Sequence, residues 1–196
     1  LSQKSIFHKG AEGQLALYTL APGIRLSFNE IYTSSWEKGD SSIFGERMLI
    51  VNFCIHGRCD VSLAKNRYAI VKENQVCIST VMPTKDFYYP RSLYEGIQLY
   101  LDLDILHDEN GQDFLSALGI SLEQIVEIFC EKDGLYLHQM NDTLRTLVKD
   151  AWDGKDDIEI GTLRYLAVRL LYEIMSMPAE SETDTYFTRS QIAMVK

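Results

Sequence analysis

Up to Asp102 apolar residues recur at every second position in short runs, and beyond it they recur at every third or fourth. Side chains alternate faces along a strand and return to one face every 3.6 residues on a helix, so this change of period predicts antiparallel strands followed by helices. Ile24, Leu26 and Phe28 alternate with Arg25, Ser27 and Asn29. Leu49, Val51, Phe53 and Ile55 alternate with Ile50, Asn52 and Cys54, a run apolar on both faces apart from Asn52, which predicts a central strand covered on both sides. His56-Gly57 breaks that run and Asp60–Leu63 resumes it, the pattern of a hairpin. Tyr68–Val71, Gln75–Thr80, Lys85–Tyr89 and Tyr94–Leu101 supply further strands, with Lys72-Glu73-Asn74 as a turn and Pro83 and Pro90 as stops. Short strands so spaced predict a barrel or sandwich, and with the helices an α+β fold.

In the second part Ser121-Leu-Glu-Gln124 has the capping-box form, and a helix is expected to follow to about Cys130, burying Ile125, Val126 and Phe129. Asn141 or Asp142 caps the next, whose Leu144, Leu147, Val148, Ala151 and Trp152 share a face before Gly154 ends it. A third opens at Asp156–Glu159 and closes at Pro178. Leu163, Leu166, Ala167, Leu170 and Ile174 make one apolar face of it, Tyr165, Val168, Tyr172 and Met175 much of another. A helix apolar around most of its circumference must be covered from two sides. Either its own domain supplies both coverings, or one face packs on the barrel and the other on a partner subunit. The second reading predicts a homodimer, with Leu163, Leu166, Leu170 and Ile174 as the candidate interface.

The expected organisation is an N-terminal arm over 1–13, the barrel over 14–101, a helical dimerisation subdomain over 102–177, and a tail over 178–196. The tail begins with a small, acidic linker, Ala179–Thr185, and a second capping box at Thr188-Arg-Ser-Gln191 predicts the first turn of a further domain. An opening Leu and a stop at Lys196 within that expected helix suggest a fragment.

Charge narrows the function classes. The first 100 residues hold 11 Lys and Arg against 9 Asp and Glu, the remainder 8 against 19. An acidic half without a basic stripe is poorly suited to gripping phosphate backbones, since nucleic-acid affinity is largely electrostatic. Cys54, Cys59, Cys77 and Cys130 are too few and scattered for a disulfide-stapled secreted module, and no basic region with an apolar run opens the chain, so a cytoplasmic protein with reduced thiols is expected. Arg164, Arg169 and Glu173 interrupt the longest apolar stretch, which excludes it as a membrane span.

No Gly-rich phosphate loop, nucleophile elbow or H-E-x-x-H occurs, and His8, His56, His107 and His138 are dispersed; no enzyme, metal or cofactor is expected. Asp102 and Asp104 have the spacing of a carboxylate pair but lie where a strand gives way to a helix, the position of a cap. Cys54 and Cys59 bracket the expected hairpin and read as buried thiols rather than as a redox pair or metal clip. Thirteen of the 21 aromatic residues precede Asp102, so the rings either line a cavity suited to a small organic ligand or fill the core. Strand parity offers Arg25, Trp36, Arg47, Asn52, Tyr88 and Tyr100 as ligand-binding candidates, in a register that a one-residue slip would invert.

The segment Met48–Arg58, with Asn52-x-Cys54-x-x-Gly57-Arg58 at its end, resembles the central segment of the sensor half of AraC-type bacterial transcription regulators. Pro22-Gly23-Ile24, Phe87-Tyr-Tyr-Pro90 with Tyr94-Glu-Gly96-Ile97, and Leu101-Asp-Leu-Asp104 resemble further pieces of it in the same order. Tyr186-Phe187-Thr188 with Gln191–Lys196 resembles the stretch before that family's paired helix-turn-helix units. The likeness runs from about Gly13 to Lys196. It implies a cupin-like sensor barrel for an unidentified small-molecule effector, a helical dimerisation element, and DNA binding only through a C-terminal domain beyond this chain. At Asn74-Gln75 the family tends to have Gly-Asp, a change the turn should accept because Asn tolerates the left-handed conformation. The competing reading is a stand-alone cupin-like small-molecule-binding protein without a DNA role, and behind it a cupin enzyme.

Overall fold

A computed structural model describes residues 4–8, 10–36, 45–62, 67–81, 87–106, 115–131, 134–180 and 187–188. Eleven strands among them are β1 (Lys4–His8), β2 (Gly13–Ala21), β3 (Ile24–Ile31), β4 (Ser35–Trp36), β5 (Met48–Ser62), β6 (Arg67–Lys72), β7 (Gln75–Ser79), β8 (Phe87–Tyr88), β9 (Tyr94–Asp102), β10 (Leu135–Gln139) and β11 (Phe187–Thr188). The longer helices are α2 (Leu122–Cys130), α3 (Asp142–Asp153) and α4 (Ile160–Met175), after a single turn α1 (Leu103–Leu106). His107, the beginning of the strand expected at Lys85 and the second capping box beyond Thr188 fall outside the described residues.

All strand pairs are antiparallel. One layer runs β1-β2-β3-β9-β5-β7-β10, and the second, shorter one is β11-β6-β5-β8-β4. The two layers share β5, whose first half pairs with β9 and β7 and whose second half pairs with β6 and β8. This corrects the expected hairpin at His56-Gly57: the chain bends there without reversing. The register against β9 slips between Cys54 and His56, and Gly57 takes φ +86°. A bulge with a left-handed glycine is how a strand turns a corner from one sheet into another. Asn74, in the turn between β6 and β7, has φ 64°, the left-handed backbone expected of a residue in a glycine's place.

The helices lie against one face of the larger layer. Leu26, Phe28, Val51, Val76, Ile78, Ile97 and Leu99 from the strands form one core with Ile125, Leu144, Val148 and Trp152 from α2 and α3. Caps set the helix starts: Ser121 Oγ accepts from the Gln124 amide, and Asn141 Oδ1 accepts from the Leu144 amide at 2.8 Å. Asp102 caps α1, its Oδ1 accepting from the amides of Asp104 and Ile105, both at 3.2 Å. The third helix begins at Ile160 rather than Asp156, because residues 154–157 form a turn.

Leu163, Leu166, Leu170 and Ile174, the expected dimer interface, are buried in this same core within one chain. Their covering within one chain comes from the core that the sheet and the helices share. The other apolar face of α4 is the open one, with Tyr165 69% and Tyr172 41% exposed. The helical stretch also contains an unforeseen strand, β10, which pairs with β7 through Leu135–Ser79 to Gln139–Gln75.

Candidate functional site

With helices on one face of the larger layer, the opposite face looks into the half-barrel, and strand parity decides what it presents. Ser27 and Asn29 on β3, Asn52 on β5, and Tyr94, Gln98 and Tyr100 on β9 all point that way, being in register across neighbouring strands: Ser27 and Asn52 both stand opposite Gln98. Ser27, Asn29, Asn52, Tyr94 and Tyr100 are buried. Polar groups taken out of water must find partners, and these find each other. Gln98 Oε1 accepts from Asn29 Nδ2 at 2.8 Å and from the Tyr100 hydroxyl at 2.6 Å. The Ser27 hydroxyl donates to Asn29 Oδ1 at 2.8 Å and lies 3.4 Å from the Tyr100 hydroxyl. Tyr94 donates to Asn52 Oδ1. Gly96 makes that last bond attainable, because a Cβ there would stand 2.8 Å from the Tyr94 hydroxyl oxygen and 2.6 Å from the Phe53 carbonyl oxygen.

Burial pushes the Tyr100 phenol up to about 12, against its hydrogen bonds to Ser27 and Asn29, and pushes Tyr94 up as well. Both hydroxyls therefore stay protonated near neutral pH. The result is a band of neutral amides and hydroxyls beside the apolar side chains of Leu17, Met48 and Ile50. Such a surface can match the hydroxyl, carbonyl or amide groups of a ligand, and Arg25, half-buried opposite Tyr100, brings a positive charge to the same face. Among the described residues no group of three His, Cys, Asp or Glu is placed to hold a metal ion.

Beyond Tyr94 the interior is filled. Cys54, Cys59, Cys77, Ala69, Val71, Tyr89, Leu135 and Leu137 form an apolar cluster, with the Tyr89 and Tyr94 rings 5.3 Å apart. All four cysteines are free and buried. Burial, reinforced for Cys54 by the Glu73 carboxylate, pushes Cys54 and Cys77 up to about 12. Thiols so placed are poor nucleophiles, so an aromatic disulfide reagent at pH 8 is expected to leave the native chain unmodified for many minutes and to titrate all four thiols once it is denatured. The ordinary thiol value is 9.0 and these are raised, so unfolded thiols lose protons first and stability falls as pH climbs above about 9.

Of the six candidates, Arg25, Asn52 and Tyr100 share the inner face, Arg25 standing opposite Tyr100 in register. Trp36, half-buried on β4, packs against the apolar cluster with Phe87. Two others lie elsewhere. Tyr88 alternates with the inward Phe87 and is exposed, while Arg47 sits beside α1, its side chain 67% exposed and its Nη1 3.4 Å from Asp104 Oδ1. Ser27, Asn29, Gln98 and Tyr94 were not singled out from the sequence. Their alternation with apolar neighbours was visible, but alternation is ordinarily read as polar residues facing water.

No family model and no curated protein matches the chain. Among solved structures, the AraC-like transcriptional activator CuxR superposes with a TM-score of 0.55 at 12% identity, covering 93% of this chain and 64% of that one. The two share a fold. It is α+β and cupin-like, a curled antiparallel sheet closed on one side by helices. The chain spans somewhat under two thirds of that activator's length. KdgF from Halomonas sp. (TM-score 0.38, 9% identity, 50% of this chain and 87% of that one) and oxalate decarboxylase OxdC of Bacillus subtilis (0.35, 14%, 81% and 45%) also match, at scores too low to carry an argument.

Proposed function

We propose that the chain is the ligand-sensing and dimerising part of a cytoplasmic AraC-like transcription regulator. The observation that carries this reading is the buried band of amides and hydroxyls on the inner face of the half-barrel, joined to a fold shared with an AraC-like activator. Ser27, Asn29, Asn52, Gln98 and Tyr100 would hold the polar groups of a small molecule, and Leu17, Met48 and Ile50 its apolar part. Signalling requires that the ligand favour one of two arrangements of the chain. Among the described residues no helix is long and apolar enough to cross a membrane.

A thermal-shift screen of neutral hydroxylated and amide compounds tests the site. A true ligand at a hundred times its Kd stabilises by about 2.7 kcal/mol and perturbs the Asn29 and Gln98 side-chain amides in NMR spectra. Gln98→Leu removes the acceptor shared by Asn29 and Tyr100, so it is expected to cost about 2 kcal/mol without ligand and to abolish the ligand-induced shift. Ligands that bind but perturb only residues outside the inner face would overturn the assignment.

Dimerisation would use the open face of α4, Tyr165, Val168, Tyr172 and Met175. The paired change Tyr165→Lys and Tyr172→Lys is expected to convert a dimer to a monomer in sedimentation velocity while leaving the unfolding midpoint of the monomer nearly unchanged, because both rings are exposed. For the regulator as a whole, about 100 residues of basic, helical sequence are expected after Lys196 in the full reading frame, the length two helix-turn-helix units need. A stop codon there would favour the stand-alone binder.

A further inference from the structure

A second concavity lies on the helical side, between α1 and α2. It encloses about 300 Å³, at the small end of the range that small-molecule sites occupy. Leu103, Leu106, Leu115, Ile120, Leu122 and Val126 give it an apolar floor. Along its rim run Glu123 and Glu127, on one edge of α2, and Glu131, the helical C-cap that continues the same edge, spanning about 12 Å. Arg47 also touches it, but Asp104 at 3.4 Å counters that charge. An apolar floor under a row of carboxylates complements a molecule with an apolar body and a positive head.

We propose that this cleft binds a small organic cation, an alkyl- or arylammonium, with its hydrocarbon on the leucine floor and its ammonium along the glutamate edge. An anion would meet three like charges. A neutral molecule would gain the floor alone. A docking helix needs anchor pockets spread over two turns, more length than one compact concavity of this volume supplies. The proposal is independent of the barrel reading, since the floor residues belong to α1, α2 and residues 115–120, and failure of either leaves the other standing.

The test uses n-hexylammonium, hexan-1-ol and hexanoate as probes of one shape and three charges, titrated into the 196-residue chain at low salt and followed by leucine, isoleucine and valine methyl NMR. Hexylammonium is expected to bind at least tenfold tighter than the alcohol, hexanoate weaker still, with shifts at Leu106, Ile120 and Val126. Exposed carboxylates each contribute modestly, so Glu127→Gln should weaken hexylammonium about two- to fivefold, and the double change with Glu131→Gln should bring it near the alcohol. Val126→Trp, which fills the cleft, should abolish binding of both. Equal affinity for alcohol and ammonium, no response to the glutamine variants, or methyl shifts confined to the barrel would overturn the proposal. So would a basic amphipathic peptide that displaces hexylammonium and binds more tightly, which would make the cleft a peptide groove.

Discussion

Leu170→Ala is expected to lower the stability of the chain by about 3 kcal/mol, and by the same amount at every protein concentration. Leu170 is fully buried between α4 and the sheet, within a core that already includes Leu26, Val51 and Leu99. Truncating it removes its transfer free energy and leaves a cavity that close-packed neighbours fill only in part. Urea unfolding over a hundredfold range of concentration checks this. A contact inside one chain gives a constant loss, whereas a contact between subunits makes the midpoint depend on concentration. Tyr165→Ala, about a quarter of a turn before Leu166 and on the open face of the same helix, should stay within about 0.5 kcal/mol. A large, concentration-dependent loss for Leu170→Ala would return the leucine face to a partner.

The second large effect is expected at Gly57. With φ +86°, a side chain there is strained whatever room it has, and it has none: a Cβ would lie 2.1 Å from the Leu93 carbonyl oxygen and 2.8 Å from its carbon. Backbone strain and overpacking are each worth about 1–3 kcal/mol, so Gly57→Ala should cost about 4 kcal/mol. The loss falls at the corner where β5 passes from one layer to the other. The damage should therefore spread, loosening the Arg58–Lys72 to Ser62–Tyr68 pairing, which hydrogen exchange reads residue by residue. A cost below about 1 kcal/mol would mean that the corner is turned some other way.

How far the sequence foretold these features depended on whether the signal was local. The caps at Ser121 and Asn141 and the end of α3 at Gly154 are short-range chemistry, and the structure places them where the residues call for them. Asn74 could be read as a left-handed turn for the same reason. Local reading failed where a distant segment decides. His56-Gly57 has the composition of a turn, but Leu93 and Tyr94 run alongside and keep the strand going. The inner site was half-legible: Asn52 stood out as a polar residue in an apolar run, whereas Ser27, Asn29 and Gln98 had the ordinary look of a wet face. Only the helices packing on the alternate residues reveal that their side is the enclosed one. Tyr88 and Arg47, which the same parity argument offers, are exposed, because a two-residue strand and a pre-strand turn carry no register to read.

β10 also sets an order of events during synthesis. Its partner β7 is buried along its whole length and waits, once made, for a strand that begins 56 residues after its own end at Ser79. In that interval Val76 and Ile78 lack the helices that cover them, and the β7 edge is open to any extended chain nearby. A nascent chain halted at Asp102 would thus carry a nearly complete sheet with an unguarded rim and an uncovered apolar face. The vulnerable period in the life of this protein lies between the translation of Ser79 and that of Ile174, and a chaperone that holds extended segments would act there.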